Sequence, residues 1–136
     1  MSSRAPTSRR FLYCLLQGER FSPALAGERT GLVLVDANEP GEVAPSGRYA
    51  GEPLPYGSAM LVLLDEDLEP GASALEPLRG LGERLPELRA LGATEASLFL
   101  VVAYEGQCHF ALSPEELGAL ARLGVPLGVS CHPAAT

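Results

Sequence analysis

The sequence predicts a single α+β domain, a mostly antiparallel sheet with helices on one face. Three observations carry that class. Apolar runs of strand length recur along the chain, at 11–16, 31–35, 58–65, 96–104 and 125–131. Helix starts of the Ser-Pro type fall between some of them, at Ser22-Pro23 and Ser113-Pro114. A two-residue connection, Glu105-Gly106, separates the run 96–104 from "QCHFAL" (107–112) and predicts an antiparallel hairpin there.

Taken in order, residues 1–9 read as a loose, polar N-terminal tail, and 10–133 as the domain. Phe11–Leu16 is the first strand. Ser22 as N-cap and Pro23 at the first helical position open a short helix over 23–29, which ends near Gly31. "GLVLV" (31–35) is a second strand. Residues 36–57 are rich in Pro and Gly and show no apolar period, which predicts a long loop. "SAMLVLLD" (58–65) lacks alternation, so both of its faces are expected to be covered.

Ser73 and Glu76 have the spacing of a capping box. Leu75, Leu78, Leu81, Leu85, Leu88 and Leu91 then recur every three or four residues as one buried helix face, with Pro86 expected to kink or split the helix. "ASLFLVVAY" (96–104) is the clearest strand. Ser113, Pro114 and Glu116 together start a last helix, expected to bury Leu117, Leu120, Ala121 and Leu123 and to stop at Gly124. Residues 125–131 close the sheet. Strand, Ser-Pro helix, glycine and strand occur in both halves, which raises the expectation of two pseudo-repeated units.

Composition narrows the function. The 136 residues carry a net charge of −7, and all ten cations are Arg. Clustered cations are what phosphate contacts require, so a nucleic-acid binder is not expected. An acidic surface suits a basic protein partner met by electrostatic steering. The turn Asp65, Glu66, Asp67 and Glu69 concentrates that charge. No run approaches the ~18 apolar residues of a membrane span. "SRRFLYCLL" (8–16) with Ala24-Leu25-Ala26 has the outline of an export signal, but its apolar stretch falls short of the ~7–15 residues needed. With an odd cysteine count, a reducing cytoplasm is the expected setting.

Cys108-His109 and Cys131-His132 are the only histidine-bearing motifs. Neighbours on a strand point to opposite faces, so each pair offers one ligand per face. With 107–112 read as a strand, the two pairs fall several residues apart. No shared metal site, no cofactor and no Cys-His nucleophile is therefore expected. No phosphate loop or hydrolase motif occurs.

The order of "FSPALA" (21–26), "TGL" (30–32), the Gly/Pro-rich middle, "LEPLRGLGERLPELRAL" (75–91), "ASLFLVVAY" and "LSPEELGALARLGVPLGVS" (112–130) resembles domain-of-unknown-function family 4279. The chain departs from that pattern at Cys131-His132-Pro133, where the family ends on an Asp and an aromatic residue. The resemblance implies small bacterial proteins similar to immunity proteins of toxin systems, and brings no catalytic residues. Two functions are expected. One is a non-enzymatic protein-binding module, an immunity or antitoxin-like inhibitor of a toxin, using Asp65, Glu66, Asp67, Glu69 and the loop 36–57. The other is a small enzyme or ligand-binding domain with a pocket beside that loop, using Arg48, Tyr49, Tyr56 or Cys108. An apolar pocket with convergent polar groups would favour the second.

Overall fold

The computed structural model describes residues 8–45 and 47–134. Within them the elements run β1 (Ser8–Gly18), α1 (Pro23–Thr30), β2 (Val35–Asn38), β3 (Gly57–Asp65), α2 (Leu75–Ala90), β4 (Glu95–Tyr104), α3 (Pro114–Leu123) and β5 (Leu127–Pro133). The sheet order is β2-β3-β1-β4-β5. Every neighbouring pair is antiparallel except β4 and β5, which are parallel and joined through α3. Helix α2 contacts both α1 and α3, so all three lie on one face of the sheet. The fold is α+β, as expected. Among the described residues no helix is long and apolar enough to cross a membrane.

Local chemistry explains the helix ends. The Ser22 hydroxyl accepts from the Leu25 N–H, Pro23 follows, and Gly31 closes α1 in the left-handed conformation at φ 76°. In α3 the capping box is complete. Ser113 Oγ accepts from the Glu116 N–H at 3.1 Å, and Glu116 Oε1 accepts from the Ser113 N–H at 2.8 Å.

Alternation along the strands builds the core. Leu12, Cys14 and Leu16 of β1 and Leu98, Leu100 and Val102 of β4 are buried against the helices, with Leu78, Leu81, Leu85 and Leu88 of α2 above them. Those four leucines contribute roughly 6–12 kcal/mol of transfer free energy before ordering entropy is subtracted. Leu75 and Leu91 pack at the margins. Phe11, Tyr13 and Leu15 alternate with the buried residues of β1 and therefore face away from the helices.

Several expectations need correction. Residues 107–112 form no strand. Both edges of β4 are taken, by β1 and β5, so a hairpin partner has no ladder to join. The halves are not repeats either, since β1 and β2 flank β3 whereas β4 and β5 pair directly. The second strand begins only at Val35, because Leu32 and Leu34 turn inward onto the core. The uneven apolar run of β3 does not mean two covered faces. A register shift between Leu12 and Tyr13 inserts Leu63, so Leu63 and Leu64 are both buried, while Val62 stays 39% exposed.

Helix α2 continues through Pro86, which sits on the exposed side where water can serve the carbonyl it leaves unpaired. Ser73 and Glu76 form no capping box. Ser73 Oγ accepts from Leu75, and Glu76 pairs with Arg79 in solvent. Instead the Ala74 N–H at the start of α2 donates to Glu116 Oε2 at 3.0 Å. In keeping with that contact, Glu116, Ala119 and Leu123 form the buried side of α3, and Leu117 and Ala121 face outward. Strand β1 begins at Ser8, so Ser8 and Arg9 belong to the sheet rather than to a tail.

Candidate functional site

The chain between β2 and β3 is folded back on itself. Gly41 donates to the Leu54 carbonyl at 2.8 Å, Leu54 to Glu42 at 2.8 Å, and Gly51 to Ala44 at 2.7 Å. Bridges join Val43 to Pro53 and Ala44 to Ala50. The expected long loop, which runs from the end of β2 at Asn38 to the start of β3 at Gly57, is thus folded into a self-bonded arm. Its base is pinned to α1 by Glu39, whose carboxylate accepts from the Ser22 hydroxyl at 2.6 Å and the Ala24 N–H at 3.0 Å.

The arm overhangs the end of the sheet where β1 stops and β4 starts, and encloses a cleft of about 810 Å³. Arg48, Tyr49 and Tyr56 line it from the arm; Gln17, Glu19, Arg20, Thr94 and Glu95 line it from the sheet end. Close backbone contact makes the floor. A Cβ on Gly18 would lie 1.8 Å from the Gly92 carbonyl oxygen, and one on Gly92 would lie 2.8 Å from that of Arg20. Only glycine fits at this crossing.

Tyr49 and Tyr56 meet edge to face at 6.2 Å between centroids, and the Arg48 guanidinium stands 5.6 Å over the Tyr49 ring. Two Arg and two Glu line the cleft, so its charge balances while the whole chain carries −7. Its volume falls within the ~300–1,000 Å³ usual for small-ligand sites. The expected residues Arg48, Tyr49 and Tyr56 are therefore brought together. Gln17, Arg20, Thr94 and Glu95 were missed, and only the glycines at the two element ends hinted at them.

The acidic turn is different from its expectation. Glu66 does not project into water. It is buried, with Oε1 accepting from Arg10 Nε at 2.9 Å and from the Arg10 N–H at 2.8 Å. Arg10 also donates to the carbonyls of Ala72 and Ala111, so it ties β1 to two connecting segments. The dense charge expected of the turn is reduced because a buried guanidinium needs a buried carboxylate. Asp65 caps the turn by accepting from the Asp67 N–H at 3.0 Å, and Asp67 and Glu69 remain exposed.

The cysteines also differ. The thiol of Cys131 neighbours that of Cys108. With no strand at 107–112, Cys108 stays at the C-terminal end of β4, where parallel β5 also finishes and Cys131 pairs with Val102. Desolvation, then the neighbouring Cys131, raise the Cys108 thiol above its ordinary range. The expected separation of the two Cys-His pairs is corrected. Even so, among the described residues no group of three or more His, Cys, Asp or Glu is placed to hold a metal ion. Cys14 lies deep in the core, and burial pushes its thiol up to about 11.

No family model matches this chain, nor does any curated protein or any solved structure.

Proposed function

We propose that the protein is a non-enzymatic binding module whose site is the cleft beneath the arm, and that its ligand is a small molecule with a planar ring and an anionic end. The carrying observation is the convergence of Arg48, Tyr49 and Tyr56 on one cleft with Arg20 across from them. Two tyrosines meeting edge to face offer a rigid aromatic wall with little side-chain entropy to lose. Arg48 and Arg20 are exposed donors for a carboxylate. The glycine floor keeps the sheet end low enough for the arm to overhang it.

Titration of the labelled protein with benzoate and phenylacetate, followed by amide NMR, tests this. Shifts should cluster in 17–20, 44–56 and 92–95 and vanish in Tyr49→Ala and Tyr56→Ala. Shifts scattered over the surface, or none at millimolar probe, would sink the reading.

A second reading rests on Leu68, which is 84% exposed between the free carboxylates of Asp67 and Glu69. An apolar tip ringed by acid suits a basic protein partner, as in an immunity-type inhibitor of a toxin. Neutralising Asp67 and Glu69 should then slow association with such a partner and flatten its salt dependence.

A further inference from the structure

The face of the sheet opposite the helices is apolar, and no described helix packs on it. Phe11, Tyr13, Leu15, Met60, Val62 and Phe99 point to this side, since each pairs across the register with another of the set or alternates with a core residue. Tyr13 stacks on Phe99 at 5.3 Å and touches Phe11 at 5.7 Å between centroids. None of the six belongs to the core or to the side chains packed against it. Gly128 on β5 extends the patch by leaving room for the Phe99 ring, 3.2 Å from where its Cβ would be. Contiguous apolar surface of this kind is rare on a protein that works alone.

We propose that two copies of this chain pack these open faces together, sheet on sheet, around a two-fold axis passing near Tyr13. Two features choose a second copy as the occupant. The first is charge placement. Positions 9, 11, 13, 15 and 17 of β1 share the open side, with Arg9 at one end and Gln17 at the other; Gln17 pairs with Glu95 of β4. Because β1 is the middle strand, any two-fold stack lays β1 over β1. With strands antiparallel across the interface, Arg9 of each copy reaches the Gln17–Glu95 end of the other, and Asp65 falls at the level of Leu15 and Met60. With strands parallel, Arg9 would meet Arg9. Only the antiparallel orientation brings the opposite charges of Arg9 and Glu95 together.

The second feature is size. Five strands ~4.8 Å apart and five facing positions ~6.6 Å apart on β1 define on the order of 600 Å² in projection, before side-chain relief is counted. Ordinary stable interfaces bury ~800 Å² per partner, so the whole face approaches that scale, with the apolar residues of β1, β3 and β4 at its centre. Facing sheets separated by ~10 Å would interdigitate Phe11 with Leu15 of the other copy and place the two Tyr13 rings at the axis.

Light scattering of the whole chain at tens of micromolar should give about twice the 14.3 kDa chain mass. Tyr13→Asp places two like charges at the axis and should return it to monomer, with circular dichroism checking that the variant is folded. Should that variant fail to fold, the charge pair decides. Arg9→Glu and Glu95→Arg should each weaken dimerisation about tenfold or more, and the double exchange should recover most of it. A chain that stays monomeric at this concentration overturns the proposal. So does a dimer indifferent to both the axis and the charge substitutions, or one whose double exchange recovers nothing.

Discussion

The Glu116 carboxylate accepts from the Ala74 N–H at 3.0 Å, joining the first turn of α3 to the first turn of α2 across 42 residues of chain. Its other oxygen caps α3 through Ser113. One buried side chain thus serves two helix N-termini, where the backbone presents unpaired N–H groups and partial positive charge.

Burial alone pushes the Glu116 carboxyl up. The N–H bonds from Ser113 and Ala74, the Ser113 hydroxyl and the Arg10 charge outweigh it, and the group titrates below the ordinary glutamate range. A depressed carboxyl contributes stability that is present above its unfolded pKa and lost as pH falls through the folded value. Glu116→Gln keeps the shape but loses one acceptor and the charge, and should cost about 1–3 kcal/mol at neutral pH. Urea melts at neutral and acid pH check both parts. The gap between wild type and variant should shrink in acid.

Arg10 and Glu66 form the second buried contact of this kind, with side chains 12% and 10% exposed. Removing one partner strands the other. Glu66→Leu should cost about 3–5 kcal/mol, and the double change Arg10→Met with Glu66→Leu should cost less than the single. A double-mutant cycle by chemical denaturation measures this coupling. If Glu66→Leu were neutral, the turn would be the solvated one its sequence suggested.

What could be read from sequence follows from how far each signal reaches. The Ser113-Pro114-Glu116 box and the leucine stripe of α2 are local, so both appear as expected. Whether Glu66 faced water depended on Arg10, 56 residues away, and no local pattern carries that. The same holds for 107–112, which reads as a strand until β5 takes the free edge of β4. Arg48, Tyr49 and Tyr56 could be nominated for the cleft because they stand out in a Gly/Pro-rich arm. Arg20 and Glu95 could not, because only the Gly18–Gly92 crossing brings them to it.

Cys14 should show itself in alkali. Its thiol is raised by burial from 9.0 to about 11, partly offset by a hydrogen bond involving the Ser97 backbone. A group raised in the folded state contributes stability that is whole below its unfolded pKa and lost as pH rises through the folded one. Between pH 9 and 11 the wild type should therefore lose on the order of 2 kcal/mol more than Cys14→Ala does. Melts of the two proteins at about pH 8 and about pH 10.5 give the comparison. A thiol reagent at neutral pH should modify exposed Cys131 quickly and Cys14 only on unfolding.

The cleft floor gives the sharpest contrast among glycine substitutions. A methyl group on Gly18 would overlap the Gly92 carbonyl at 1.8 Å, and both atoms are held by backbone. Neither side can yield without moving β1 from the 92–94 turn, so Gly18→Ala should cost at least about 3 kcal/mol. Gly71 is the control. It has a positive φ of 75° but nothing within 4 Å, so Gly71→Ala carries only the left-handed backbone penalty of about 1–2 kcal/mol. The two substitutions should differ in kind as well as degree. Any shift that admits the Gly18 methyl spreads the floor between Gln17 and Glu95, so amide signals of the cleft should move in Gly18→Ala and stay in place in Gly71→Ala. Equal costs, or an undisturbed cleft in the Gly18 variant, would show that the crossing does not set the shape of the site.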